Sequence, residues 1–321
     1  MTTALRLRHA VSVAEHASFR RAAATLRISQ PALTKSIQNL ESELGVKLFE
    51  RRRDGVIPTE FGKLVVAHAH DMVQVESEFL RRINLLAGLE TGSLTVALGP
   101  LPNAMSAYPA AGMLLSKHPN LRISFQSTAW REVTQSVVDK KADLGIGELS
   151  GAVLDDSLQT EMVGQHRAHF CCRPGHPLLR LRTIGLKNLL QYPWATTRLP
   201  PRHAAALPRD TGRAGYIDSF SGDFVPAVDV GTPTVLGYLV VQSEVILLCP
   251  LTLVEQDLKA GRVVIIPTPG LDFRARYGFM YLKSRPLSPA TQAFMMEVRD
   301  YERSLAEHEV ALEAQFRAKA D

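Results

Sequence analysis

Ser29-Gln30-Pro31-Ala32-Leu33-Thr34-Lys35-Ser36-Ile37-Gln38-Asn39-Leu40-Glu41-Ser42-Glu43-Leu44 decides the fold of the N-terminal part of the chain. Leu33, Ile37, Leu40 and Leu44 recur at spacings of 4, 3 and 4, which is one core-facing stripe on an α-helix. Ser29 is a good N-cap, Pro31 sits in the first turn where its missing N–H is harmless, and Gly45 supplies the stop. The other face carries Gln30, Thr34, Lys35 and Gln38, with Pro31 at the tip. Those side chains can meet base edges and phosphates without bringing negative charge.

Two shorter helical patterns precede this one, over roughly Leu5 to His16 and from a cap at Ser18 to Leu26. Only Arg27-Ile28 separates the second helix from the third, so the connection is a tight turn and the pair is a helix-turn-helix. Leu48 to Thr59 then places Arg51, Arg52, Arg53 and an Asp54-Gly55 turn between apolar residues, the pattern of a hairpin. It is expected to form a wing whose arginines lie near phosphates. The competing reading is a small helical domain with an ordinary charged hairpin.

Charge supports the nucleic-acid reading. Residues 1–58 hold 10 Lys/Arg against 5 Asp/Glu, whereas residues 59–321 hold 27 of each, so the whole net charge of +5 sits in the first fifth. A solubilising basic face is the plainer alternative.

From Thr59 to about Ala87 the chain has no Pro and only the early Gly62. Val65, Ala69, Met72, Val75, Phe79, Ile83 and Leu86 follow with a mean spacing of 3.5, the period of a coiled-coil seam. A second copy of the chain is the economical partner for such a helix, with folding back onto the C-terminal part as the alternative.

Beyond a break at Gly88 to Gly92 the pattern alternates. Leu94–Leu98, Leu121–Phe125 and Asp143–Gly147 look like strands with helices between them, a βαβαβ order that predicts a mainly parallel sheet. Ala168–Cys172, Val245–Cys249, Val263–Ile266 and Tyr277–Leu282 are further strand candidates, and a charged helix runs from about Pro289 past Glu309. These residues could build one sheet or two.

Ser18-Phe19, Ala22-Ala23, Leu26, Ser29-Gln30-Pro31-Ala32-Leu33, Ile37, Leu40-Glu41, Leu44-Gly45, Leu48-Phe49, Arg51, Thr59 and Gly62 resemble the N-terminal signature of LysR-type transcriptional regulators. The resemblance extends more loosely through His118-Pro119, Asp143-Leu144 and Arg173-Pro174-Gly175-His176-Pro177-Leu178 to Gly261 and Pro267. Asp54 stands where the family commonly has a wing arginine, and Pro58 where it usually has Leu. The Gly55-x-x-Pro58-Thr59-x-x-Gly62 form is similar to a subgroup associated with aromatic-acid and sugar catabolism.

What the resemblance implies is an α/β protein. It would have an N-terminal all-α winged helix-turn-helix (residues 1–58), a linker and dimerisation helix (59–88) and an effector-binding domain (89–321). The last is expected as two α/β subdomains resembling periplasmic binding proteins, about 93–164 with 268–300 and about 165–267. Ser29, Gln30, Pro31, Thr34, Lys35 and Gln38 would enter a DNA groove, with Arg51, Arg52 and Arg53 on phosphates. Expected partners are double-stranded DNA, a small organic acid, and further copies of the chain as a dimer paired into a tetramer. RNA polymerase is a candidate further partner.

Loops at strand carboxyl ends supply the effector candidates. Pro102, Asn103 and Ala104 open a helix whose free N–H groups would favour an anion. Ser127, Thr128 and Trp130 follow the second strand and Glu148 the third. Arg198, Arg202 and His203 lie in a Pro-rich loop suited to a carboxylate, with Thr232 further on. Each could instead be a surface cap, a core aromatic or a structural loop.

No G-x-S-x-G, H-E-x-x-H or G-x-x-x-x-G-K-[ST] pattern occurs, so no enzyme activity or cofactor is expected. His166, His169 and Cys172 have metal-like spacing, but strand alternation puts His169 on the opposite face, and no metal is expected. Cys171, Cys172 and Cys249 read as buried strand residues. No apolar run spans a membrane and the charged N-terminus lacks a signal core, which predicts the cytoplasm. An α/β enzyme with an accessory helical head, and a cytoplasmic small-molecule-binding protein whose helices only oligomerise, are the rival readings.

Overall fold

Three helices open the chain: α1 Thr3–His16, α2 Phe19–Thr25 and α3 Gln30–Leu44. The computed structural model describes residues 3–52, 55–87, 92–231, 233 and 236–317, and divides into units Met1–Leu86 and Ala87–Asp321. In the first unit, Ala10, Val13, Phe19, Ala22, Leu33, Ile37 and Leu40 form one apolar core. The strands β1 Phe49–Arg52 and β2 Gly55–Pro58 pair antiparallel, and Phe49 closes the core by meeting Phe19 edge-on at 6.3 Å. The Val56 amide donates to Ala17 O at 3.0 Å, which ties the hairpin to the α1–α2 turn.

Thr59 joins the hairpin to α4, Glu60–Ala87. Its hydroxyl donates to Lys47 O at 2.6 Å and accepts from the Gly62 amide at 3.0 Å, so it caps the helix and anchors it together. Gly62 lies so close to the residue preceding β1 that a Cβ there would be 2.0 Å from Leu48 O.

The second unit begins with β3 Ser93–Leu98, a short helical run α5 Pro100–Pro102, a π-helical stretch Asn103–Ala107, and α6 Tyr108–Lys117. It continues with β4 Arg122–Ser127, α7 Trp130–Val138, β5 Leu144–Gly147 and the long β6 Leu158–Cys172. After α8 Leu186–Leu189 come β7 Trp194–Thr196, α9 Pro201–Ala204, β8 Gly215–Ile217, β9 Phe224–Pro226 and β10 Val228–Asp229. Then α10 Leu236–Val241, β11 Ile246–Pro250, α11 Glu255–Lys259, β12 Val264–Ile265, β13 Phe273–Leu282 and α12 Pro289–Arg317 complete it.

One sheet runs β10-β7-β11-β6-β13-β5-β3-β4, with β12 also on β6. It is mixed where the sequence pattern pointed to mainly parallel. Its two ends are parallel (β10-β7-β11 and β5-β3-β4), and the centre is antiparallel through β6 and β13. Those two strands are also far longer than the apolar runs 168–172 and 277–282 suggested. Their polar middles (Gln165, His166 and Arg167; Arg274 and Arg276) pass between two cores instead of entering one.

One core gathers Phe170, Trp194, Phe224, Leu247 and Phe273. The other gathers Leu94, Val96, Ile146, Phe279 and Phe294, with a satellite around Val133 and Met280 on the opposite face. These are two subdomains on a shared sheet. Helix α12 serves both, with Phe294, Val298 and Leu305 in the Leu94 core and Leu312 and Phe316 in the Phe170 core.

Candidate functional site

Helix α3 is held by local chemistry before packing acts on it. The Ser29 hydroxyl accepts from the Ala32 amide at 3.3 Å, and Gly45 at φ +70° takes the left-handed turn that a Cβ would resist. Leu33, Ile37 and Leu40 are buried as expected of the stripe, but Leu44 is 46% exposed. The core does not extend to that last turn. Glu41 goes inside instead, accepting from the Leu48 amide at 2.8 Å and from the Lys47 ammonium at 2.9 Å. Burial alone would raise the Glu41 pKa; Lys47 and the Leu48 and Phe49 amides outweigh it and hold the carboxyl below its usual range. Hydrophobic periodicity cannot announce a buried carboxylate, although Glu41 stands within the family signature.

With that side buried, Ser29, Gln30, Pro31, Lys35 and Gln38 are exposed and Thr34 is half-buried, forming one polar strip. Ser36 is turned inward and bonds His9 at 2.7 Å. Arg51 and Arg52 lie in β1, but their side chains, like all of Arg53, fall outside the described residues.

Along α4 the early seam positions are not free: Val65 packs on the first unit's own core and Ala69 is buried. Further along, Met72, Val75, Phe79 and Ile83 are exposed, Val75 at 70% and Phe79 at 60%. The side chain of Leu86 is outside the described residues.

A cavity of about 640 Å³ opens between the two subdomains of the second unit. Pro102, Ser127, Thr128, Trp130, Glu148, Arg198, Arg202 and His203 line it, together with Thr196, Thr197, Phe273 and Arg276, which the sequence pattern did not single out. Asn103 and Ala104 do not line it, and Thr232 is outside the described residues. The expected nest of free amides at the helix start is also absent. Pro100 and Pro102 have no N–H, and the Asn103 amide already donates to Gly99 O at 3.3 Å. The Asn103 side chain instead donates to Ser127 Oγ at 2.9 Å, orienting a lining hydroxyl from behind.

The basic residues of the Pro-rich loop are largely committed to partners. Arg202 pairs with Glu148 across the cleft, and the Ser150 hydroxyl donates to Glu148 Oε1 at 2.7 Å from the other side. Arg198 pairs with Asp229 at 2.8 Å. His203 donates to Arg274 O at 2.9 Å; burial first, and the Arg202 charge second, lower its pKa and favour the neutral ring. A second pair spans the cleft in the opposite sense, from Arg131 to Asp223 at 2.8 Å. Sequence patterning had no means of pairing residues so far apart along the chain.

Behind the cleft the hinge strands carry a buried polar cluster. His166 of β6 lies 3.0 Å from both the Tyr277 hydroxyl and Glu302, and 2.9 Å from Glu309, the two carboxylates coming from α12. Cys171, Cys172 and Cys249 are buried in the core of the second subdomain. The adjacent Cys249 together with burial raises the Cys171 pKa, and burial takes Cys172 up to about 12, so Cys171 and Cys172 are held protonated. Among the described residues no helix is long and apolar enough to cross a membrane, and no group of three or more His, Cys, Asp or Glu is placed to hold a metal.

Comparison with known proteins agrees with this arrangement. Residues 5–63 match the family model described as bacterial regulatory helix-turn-helix protein, lysR family, and residues 87–303 match the LysR substrate binding domain. The chain is 32% identical over 291 residues to the SDS degradation transcriptional activation protein of Pseudomonas sp., covering 89% of this chain and 92% of that one. It is 29% identical to the HTH-type transcriptional regulator GbpR of Azospirillum brasilense, covering 92% and 86%. Among solved structures, a full-length variant of AphB superposes with a TM-score of 0.65 at 15% identity over 93% of this chain and 98% of that one. A full-length variant of OxyR from Pseudomonas aeruginosa gives 0.53 at 18%, over 93% and 100%. A helix with an exposed polar strip on a small buried core, followed by a two-subdomain cleft, is therefore matched in sequence by both halves of one family, and the chain belongs to the LysR family of DNA-binding transcriptional regulators with a small-molecule effector domain.

Proposed function

We propose that the protein is a sequence-specific regulator that reads a pseudo-palindrome in duplex DNA and responds to a small organic acid bound between its two α/β subdomains. Residues 1–58 act as the winged helix-turn-helix, 59–88 as the dimerising linker and 89–321 as the effector domain. Ser29, Gln30, Pro31, Thr34, Lys35 and Gln38 meet the major groove, and Arg51, Arg52 and Arg53 the phosphates. Met72, Val75, Phe79 and Ile83 pair with the same helix of a second copy, and dimers pair into tetramers; RNA polymerase is a candidate contact of the DNA-bound assembly. The acid acts by favouring one pre-existing assembly state over another.

The observation that carries this reading is the exposed strip of Gln30, Lys35 and Gln38 on a helix fixed by Leu33, Ile37 and Leu40. Gel shifts with specific and random duplexes over a salt series test it. Lys35→Ala combined with Gln38→Ala should lower the ratio of specific to nonspecific affinity more than it lowers nonspecific binding. An unchanged ratio would falsify the placement of α3 in the groove.

For the effector, the cavity supports an anion with an apolar body, in keeping with the aromatic-acid expectation and less with a sugar acid. The Pseudomonas relative is named for SDS degradation, so an alkyl sulfate belongs among the probes.

A further inference from the structure

We propose that Arg276 is the anion anchor of the cleft and that the ligand it holds is an organic acid with an apolar body. This deepens the effector reading above and rests on it.

Four arginines line the cavity wall, Arg198, Arg202, Arg274 and Arg276, against three carboxylates, Glu132, Glu148 and Asp229. Three of the arginines are engaged. Arg198 holds Asp229, Arg202 holds Glu148, and Arg274 holds Asp272 at 2.8 Å. The Arg276 side chain is exposed and makes no hydrogen bond or ion pair among the described residues. Its charge is felt by Asp272, but Arg274 grips that acid and Arg167 approaches it at 3.9 Å, so it is already shared between other cations. His203, which faces the same charge, is favoured in its neutral form and does not compete for an anion.

Arg276 is therefore the one arginine of the wall that no carboxylate holds, while the third lining carboxylate, Glu132, accepts from the Thr128 hydroxyl. A guanidinium presents a planar fork that matches a carboxylate or a sulfate. The rest of the wall selects the body. Leu101, Trp130, Leu248 and Phe273 give it apolar surface, and a cavity of about 640 Å³ is of ordinary size for a small organic ligand.

The position of Arg276 explains why the anchor is at the hinge. It belongs to β13, one of the two strands that pass between the subdomains. An anion held there touches the element shared by both halves, and its apolar end reaches the walls contributed by each.

Titration calorimetry and thermal shift on the full chain test the proposal, at fixed ionic strength, with benzoate, octanoate, octyl sulfate and gluconate as anions and benzamide as the neutral counterpart. One or more of the first three should stabilise the protein, and gluconate and benzamide should not. Arg276→Gln should weaken that acid about tenfold to hundredfold, Arg276→Lys should recover part of the loss, and gel shifts should show DNA binding retained in both. If Arg276→Gln binds the acid with unchanged Kd while Arg198→Gln or Arg202→Gln loses it, the anchor is wrong and the effector reading stands. If none of the anions stabilises the wild-type chain, the organic-acid reading falls and the anchor falls with it.

Discussion

Arg131 grips Asp223 across the cleft with both ends of its guanidinium fork, Nε at 3.0 Å and Nη2 at 2.8 Å from the two carboxylate oxygens. The pair is unequal: the Asp223 side chain is 2% exposed and that of Arg131 is 47% exposed. Arg131→Ala therefore strands a carboxylate inside the protein, whereas Asp223→Asn leaves a cation that water already reaches. Breaking the pair from the arginine side is expected to destabilise the effector unit by about 2 kcal/mol and from the aspartate side by about 1 kcal/mol. Urea unfolding of the two variants reads the difference, and equal losses would contradict the asymmetry.

Gly62 and Gly112 give opposite expectations for the same substitution. A Cβ at Gly62 would stand 2.0 Å from Leu48 O, a backbone atom that cannot swing aside, whereas at Gly112 in α6 nothing lies within 4 Å. Gly62→Ala should destabilise the N-terminal unit by about 3 kcal/mol through overpacking. Gly112→Ala should stabilise its helix by about 0.5–1 kcal/mol through propensity alone. Thermal unfolding of both variants tests the local geometry, and a neutral Gly62→Ala would refute the close approach of α4 to Leu48.

The seam on α4 predicts an oligomeric effect separable from folding. Val75 and Phe79 are exposed in the single chain, so Val75→Glu with Phe79→Glu should leave its fold intact while placing charge in an apolar contact between copies. Sedimentation should show the variant shifted to monomer, and affinity for a two-half-site duplex should fall more than affinity for a half-site. A wild-type dimer population in the variant would place the interface elsewhere.

What the sequence made legible follows from which forces leave a periodic trace. Leu33, Ile37 and Leu40 mark α3 because one face of a helix meets one core, and Ser29, Pro31 and Gly45 mark its ends by their own backbone chemistry. The hinge strands were only half legible. Residues 159–167 of β6 have no alternation to show, since their side chains meet α12, water or a partner charge in turn. Proximity to the cleft could be inferred for Thr128, Trp130 and Glu148, each following a strand end. The engagement of Arg202 by Glu148 could not, because a pairing over 54 positions exists only once the sheet has formed. For the same reason Arg276, in the middle of a polar strand stretch, gave no signal at all.

His166 should make stability depend on pH in the alkaline range. Burial opposes its charge, but the hydrogen bonds and charges of Glu302 and Glu309 outweigh that and raise its pKa from 6.5 to about 9. The folded state thus binds a proton that the unfolded state releases between those values. The stabilisation is fully present below about pH 6.5 and is lost as pH rises through about 9, with a full size on the order of 3 kcal/mol. The other titratable group facing the ring is Tyr277, whose pKa burial and Glu302 raise well above the usual, so it stays protonated across the window. Urea unfolding at pH 6, 7.5 and 9.5 should show the effector unit losing stability with each step. His166→Gln should be less stable at pH 6 and nearly flat from there upward, because it has no proton to lose. Parallel curves for the two proteins would show that the charge between α12 and the hinge strands does not contribute to stability.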